Sequence, residues 1–361
     1  MKWLLDILER VRPVFGEEGK LRAFKPVFHA AESILFSPGT RAANAPHVRD
    51  PLDVKRFMST VIIALVPSLL VSIYFFGLRV LAMIIVSYAV GGTIEVLVAV
   101  MRKEDINEGF LVTGLIFPLV LPPLLPLWMV GVGIGFGVLV GKELFGGTGR
   151  NLFNPALVGR AFLAIGYPVA MSGWVKPGSG LVGRALQYVS ASQLDAVSSA
   201  TPLVLAKEGT FASLPDLFLG YVSGSAGETS ALAILAGGLF LVMTRVANWR
   251  TIAGVLGAFA LPGVLLHWVQ PDRFGPVGWH LLAGGLLFGA FFMATDPVTS
   301  PFTNGGKWAY GIIIGVATLL IRNLTGYVEG VMFAILLGNI AAPILDEIVV
   351  TFRLRRLEHE R

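Results

Sequence analysis

Between Asp195 and Leu203 the chain reads Asp-Ala-Val-Ser-Ser-Ala-Thr-Pro-Leu, and Thr201 is the residue there on which chemistry could be built. Its hydroxyl follows three small neighbours, Ser198, Ser199 and Ala200, so a second enzyme could reach it and esterify it with a phosphate-bearing group. A helix starting at Pro202 would place its positive end, with unpaired N–H groups, beside that phosphate. Local physics supports a plainer reading equally well. Thr is a favoured N-cap and Pro a favoured first helical residue, so the pair also reads as an ordinary helix start.

Other residues with chemical potential lie in or near apolar runs. Six carboxylates do so: Glu95, Glu143, Glu228, Asp296, Glu329 and Asp346. A carboxylate is costly inside a membrane and reads by default as functional. With hydroxyl and carbonyl oxygens it suits a hard monovalent cation, and Asp296, Asp346, Glu228 and Glu95 are the ion candidates. The alternative is that several cap helices at a boundary; Asp296, followed by Pro297, has that form. A third group is Gly141, Lys142, Glu143, Phe145, Gly146 and Gly147, with Thr148 and Gly149. Glycines there would let helices or a flat ring approach backbone closely. Phe145, Phe153, Phe162 and Trp128 could stack on such a ring, or face lipid or core.

Several chemistries are excluded. The chain has no cysteine, which removes disulfides, thiolate zinc sites and Cys-ligated iron–sulfur clusters within it. Its five histidines are not paired at mid-membrane depth in different spans, so a bis-His haem is not expected. Gly146-Gly147-Thr148-Gly149 lacks the Walker spacing and its terminal Lys-Ser/Thr, which argues against nucleotide hydrolysis. Electron transfer here would need cofactors independent of Cys and His, and flavin and quinone meet that condition.

These residues must be held by membrane elements. Only 14% of the 361 residues are charged and 55% are hydrophobic, against roughly 25% charged in an ordinary soluble domain. Several apolar runs approach the roughly 20 residues that cross a bilayer core. Ten spans are predicted, at about 57–77, 80–101, 109–126, 127–145, 154–170, 230–246, 250–270, 280–295, 309–323 and 328–350. The fold class is therefore all-α and polytopic, in two inverted five-helix repeats, 57–170 and 230–350, separated by a polar stretch at 171–229. Broken helices are expected in each half. Pro118, Pro122, Pro123 and Pro126 interrupt the third span, and Gly146 to Gly149 end the fourth. Pro262-Gly263 interrupts the seventh, and Asp296-Pro297 ends the eighth. Such breaks place a site near the midplane of an inverted-repeat fold.

Residues 1–56 hold no secretory signal but have apolar residues at helical spacing from Trp3 to Phe15. They read as an amphipathic cytoplasmic segment, an interfacial helix or a lid over a ligand site. The net charge of +5 gathers at the two ends and in short loops on one side, a topology signal and not a nucleic-acid footprint. Both termini, including the tail 351–361, are expected in the cytoplasm and 171–229 on the opposite, periplasmic face, with Arg79 and Arg273 among its few bases.

The segment ending at Thr201 resembles the S-x-A-T flavinylation motif of a family that contains the B-type subunits of the sodium-translocating NADH:quinone reductases and the D-type subunits of the Rnf complexes. Ser199 stands where that motif usually has glycine. The resemblance extends over nearly the whole chain. It is carried by Gly141-Lys-Glu-Leu-Phe-Gly-Gly-Thr-Gly-Arg-Asn-Leu-Phe-Asn-Pro-Ala156, Gly224-Ser-Ala-Gly-Glu-Thr-Ser230 and Phe291-Phe-Met-Ala-Thr-Asp-Pro297. The N-terminal block, with Phe36-Ser-Pro-Gly39 and His47-Val-Arg-Asp50, is more similar to the sodium-pump branch than to the Rnf branch.

The resemblance implies FMN joined through its phosphate to Thr201, with Asp195, Ser198, Ser199 and Ala200 as its recognition motif. It also implies non-covalent riboflavin in the membrane, ubiquinone as substrate at a cytoplasmic quinone region around Gly141 to Gly147, and transported Na+. The expected partners are the other members of a six-subunit complex in a bacterial inner membrane, its lipid, and a flavin transferase for maturation. The alternatives are an Rnf-type ferredoxin:NAD electron transport protein and a channel or solute carrier of inverted-repeat fold, which would not need the 195–203 motif.

Overall fold

The computed structural model describes residues 13, 54–103, 109–177, 200–271, 275–327 and 329–359. The amphipathic segment expected at 1–20 falls outside these apart from Pro13, as do Asp195, Ser198 and Ser199. Helices and the turns and loops between them make up the described residues, with no β-strand among them.

Nine longer helices carry the architecture: α1 (Val54–Phe76), α2 (Leu78–Arg102), α3 (Gly109–Leu119), α4 (Leu127–Gly141), α5 (Pro155–Gly166), α6 (Ala231–Met243), α7 (Trp249–Val269), α8 (Asn304–Leu324) and α9 (Val331–His359). Six helices are long and apolar enough to cross a membrane: α1, α2, α4 with its 3-10 extension to Phe145, α7, α8 and α9. α3, α5 and α6 are apolar but shorter. The chain is thus a multi-pass membrane protein. Outward rows such as Leu261, Leu265 and Trp268 on α7 are largely exposed, as lipid-facing residues should be.

Between α7 and α8 the chain forms a broken segment. A short helix, Val277–Leu282, is followed by a break at Ala283 to Gly285, then Leu286–Phe288 and a π-helical turn, Gly289–Met293. The first half has a matching interruption, residues 120–126 between α3 and α4. In the membrane, freed backbone groups at such breaks need partners. Here the chain supplies them. Arg79 Nη2 donates to Leu125 O at 2.9 Å, and Gly227 N and Ala226 N donate to Leu119 O and Leu121 O. In the second half, Arg322 donates to His280 O at 2.9 Å and Ala283 O at 3.2 Å.

Two expectations are corrected. Pro262-Gly263 does not break the seventh span: α7 runs unbroken through it. A proline removes one helical hydrogen bond but not the helix when packing holds both sides, and the break falls at Ala283 to Gly285 instead. Arg79, counted as a loop base, is buried and turned onto the first break.

α1 packs on α6, α2 on α4, α7 on α8, α4 on α5 and α8 on α9. Glycines allow the closest of these approaches: a Cβ on Gly141 would meet Pro155 and Val158 at 3.1 Å. One apolar core runs through both halves, from Phe117 and Leu121 to Phe288 and Ile335.

Candidate functional site

Thr201 takes up the local structure its sequence predicts. It is the N-cap of a short helix, Pro202–Lys207, with extended backbone and a side-chain oxygen accepting from Val204 N at 3.4 Å. Pro202 and Leu203 are buried, Thr201 is half-buried and Ala200 is exposed. Leu203 packs with Leu217, Val222, Trp279 and Ala283, while Lys207 Nζ donates to Thr325 O at 3.0 Å. The half-buried hydroxyl therefore sits on a turn anchored to the second break.

Beneath that turn lies a cluster of four charged groups. Arg160, from the middle of α5, donates to Glu228 Oε1 at 3.1 Å and to Glu329 Oε2 at 3.0 Å. Glu329 Oε1 in turn accepts from Gly285 N at the break. Arg322 completes the group, and a Cβ on Gly284 would lie 3.1 Å from both Arg322 Nη2 and Glu329 Oε1 and 2.7 Å from Leu203 Cδ1. Gly284, at φ 68°, is thus the point where the Thr201 turn touches the cluster. Two cations and two anions balance, which is how buried charge is tolerated in an apolar interior. Sequence reading singled out both carboxylates but not Arg160. The signal for it was a lone arginine in the apolar run 155–166.

A cavity opens at the other end of the molecule, between the halves. Apolar walls come from Phe57 and Met58 of α1, Val112 and Ile116 of α3 and Phe292 of the π-turn. Polar groups come from Lys142, Thr148, Asn151, Asn154, Thr295 and Asp296. The lining thus combines apolar walls with amide, hydroxyl and charged groups. α8 separates the two places. Thr325, held by Lys207, follows its last residue, whereas Thr303, its N-cap, closes the loop that carries Asp296. Its 21 residues make about 31 Å of helix, close to the thickness of a bilayer core.

The other candidates are distributed as follows. Glu95 accepts from Lys142 Nζ at 2.7 Å, both nearly fully buried. Glu143 pairs with Arg102 at 3.3 Å. Asp296 accepts from Thr299 Oγ1 at 2.9 Å and Val298 N at 3.3 Å, a turn-capping role, and burial pushes its carboxyl above the usual carboxylate range. Asp346 accepts from Phe302 N and from Thr303 N and Oγ1. The ion candidates Glu95, Glu228, Asp296 and Asp346 do not converge. Among the described residues no group of three or more His, Cys, Asp or Glu is arranged to hold a metal ion.

Of the glycine-rich stretch, Lys142 and Thr148 line the cavity, whereas Gly141, Glu143, Phe145, Gly146 and Gly147 do not. Gly141 serves helix packing, and Gly146 and Gly147 adopt φ of 109° and 87°, where glycine is needed for the turn itself. Phe145 meets Phe153 edge-on at 6.0 Å. Trp128 and Phe162 are not near this loop: Trp128 packs on Tyr167 at the opposite end of α4, and Phe162 stacks on Phe136.

Known proteins match the sequence of this chain along its length. The B-type subunit of the Na(+)-translocating NADH-quinone reductase of Klebsiella pneumoniae (strain 342) is 38% identical, with 98% of each chain covered. The protein of the same name from Yersinia pestis is likewise 38% identical over 98% of each chain. The one from Azotobacter vinelandii is 38% identical over 97% of each. Residues 41–354 match the sequence profile of the NQR2, RnfD, RnfE family, and the chain belongs to that family.

Proposed function

We propose that this chain is the membrane subunit of a sodium-pumping NADH:quinone oxidoreductase, carrying covalent FMN on Thr201 and non-covalent riboflavin in the cavity, and delivering electrons to ubiquinone on the cytoplasmic face with Na+ export. The observation that carries the reading is the disposition of the two places, a half-buried threonine N-cap and a polar-lined cavity at opposite ends of α8. The names of the relatives support the complex and its reaction. Their match over 98% of the chain takes in the N-terminal block, which favours the sodium-pump branch over the Rnf-type alternative.

Ten membrane segments in two inverted repeats fit the packing. Counting the broken segment as the third of its half, second packs on fourth and fourth on fifth in both halves, and the two first helices pack together. The excess of Lys and Arg at the cavity end favours a cytoplasmic cavity and a periplasmic Thr201 in a bacterial inner membrane.

Bound flavins would supply the redox chemistry. The chain holds and shields them. The Thr201 turn fixes the attachment oxygen at a helix start that favours phosphate. In the cavity, Asn151, Asn154 and Thr148 would bind hydroxyls, while Phe57 and Phe292 would flank the ring and exclude water. Lys142, paired with Glu95, would place positive charge beside whatever accepts electrons there. Ubiquinone would be reduced beside the cavity mouth, with Phe145 and Phe153 as its apolar approach, and a flavin transferase would load Thr201.

The reading is tested by ultraviolet fluorescence of the denatured band. Thr201→Ala should lose it and Ser198→Ala should keep it. Fluorescence persisting in the Thr201 variant would refute the attachment.

A further inference from the structure

Asn339, in the first third of α9, is completely buried and has every amide hydrogen engaged. Its Oδ1 accepts from Asn154 N at 3.3 Å. Its Nδ2 donates to Thr299 O at 3.2 Å and to Tyr310 Oη at 2.9 Å. Asn154 is the N-cap of α5 and, with Pro155 and Ala156, forms part of the first-half wall of the cavity. Thr299 follows Asp296, Pro297 and Val298, which form part of the second-half wall. Tyr310 is itself fully buried on α8, and Gly338 lets it approach α9: a Cβ there would meet the Tyr310 ring at 2.9 Å.

We propose that Asn339 is a positioning residue for the cavity ligand: one amide, touching no ligand itself, fixes the spacing and tilt of the two facing walls. This rests on the reading that the cavity holds a non-covalent flavin. Asn suits the task because the junction needs an acceptor for one wall and donors for the other within a single planar group. An aliphatic side chain of similar size would leave Asn154 N, Thr299 O and Tyr310 Oη buried and unpaired, and each could then regain a partner only by moving its wall. Asn339 holds the backbone of Asn154, whose side chain would bind the ligand, so the ligand would feel the shift directly.

The test uses the purified whole complex. Riboflavin released on denaturation is resolved from other flavins by chromatography, and the flavin remaining on the chain is read by in-gel fluorescence. Asn339→Leu should lower riboflavin affinity, measured by adding riboflavin back to depleted complex, at least about tenfold while the Thr201 band keeps full intensity. Unchanged affinity would overturn the inference. If Asn339→Leu loses both signals because the chain misfolds, Tyr310→Phe decides. It removes one hydroxyl from the junction and should raise the riboflavin dissociation constant several-fold; an unchanged constant would overturn the inference equally. Val112→Trp separates this from the cavity reading, because it fills the cavity from α3. If Val112→Trp retains riboflavin at the wild-type level, the cavity assignment falls and the inference with it. If Val112→Trp loses riboflavin and Asn339→Leu does not, only the role of Asn339 is refuted.

Discussion

Arg160 and Glu329, 169 residues apart in the sequence, meet at 3.0 Å in the interior and join the first half of the chain to the second. The same guanidinium holds Glu228 at 3.1 Å. Neither carboxylate could be buried here alone, and Arg160 could not enter α5 without them.

Removing Arg160 should therefore be far more damaging than an exposed charge deletion. Arg160→Leu leaves buried Glu228 and half-buried Glu329 with Arg322 as the remaining cation of the cluster, a loss of about 3–5 kcal/mol by analogy with other broken buried pairs. Thermal unfolding of the detergent-solubilised complex, followed by size-exclusion chromatography, should show a clear drop in midpoint. Glu329→Gln should cost less, because its amide oxygen can still accept from one of the two donors that the separate carboxylate oxygens serve, Gly285 N or Arg160. Equal midpoints for Arg160→Leu and the parent would contradict the cluster as described.

The Thr201 turn separates capping from attachment. Thr201→Ala should cost about 1 kcal/mol of local helix stability together with the covalent flavin. Thr201→Asn restores an N-cap without a hydroxyl. Proteolysis of the 200–210 region should be enhanced in Thr201→Ala and normal in Thr201→Asn, with fluorescence of the denatured band absent from both. A fluorescent Thr201→Asn band would place the flavin on another residue.

Some of this was legible in the sequence and some was not. The Thr201-Pro202 helix start was, because capping is decided within four residues. The interruption after Leu119 was, because Pro122, Pro123 and Pro126 cannot continue a helix. The second interruption was misplaced: Pro262 is an obvious signal, yet α7 absorbs it, whereas Ala283-Gly284-Gly285 breaks on account of Arg322 and Glu329, which lie about forty residues away. Arg160 and Asn339 were missed for the same reason. Their roles are defined wholly by partners remote in sequence, and a lone polar residue in an apolar run does not announce which partner it meets. The acids were noticed individually, but their separation into a helix-break cluster, two ion pairs and two loop tethers is a property of packing.

Lys142 and Glu95 offer a double-mutant test of the cavity wall. Lys142→Met leaves the Glu95 carboxylate buried beside the cavity without its cation, and should destabilise by about 3–5 kcal/mol. Lys142→Met combined with Glu95→Leu removes both charges and should recover most of that loss, so the two substitutions are strongly non-additive. Thermal midpoints of the four proteins measure the coupling. Additive effects would mean that the 2.7 Å contact contributes nothing.

The topology admits a direct chemical test, since the native chain contains no cysteine and any introduced thiol is unique. Glu208 follows the Thr201 helix and is exposed, and Arg355 is exposed near the end of α9. Nine apolar helices and one broken segment lie in the described chain, and an odd number of crossings separates the two positions if α6 to α9 and the broken segment all span. A membrane-impermeant maleimide applied to intact cells should therefore label Glu208→Cys and not Arg355→Cys, while permeabilised cells should label both. Labelling of Arg355→Cys alone would invert the orientation, and would move the Thr201 flavin to the cytoplasmic face. Labelling of both in intact cells would mean an even number of crossings after residue 208, and would remove the broken segment or one of the short helices from the set that spans.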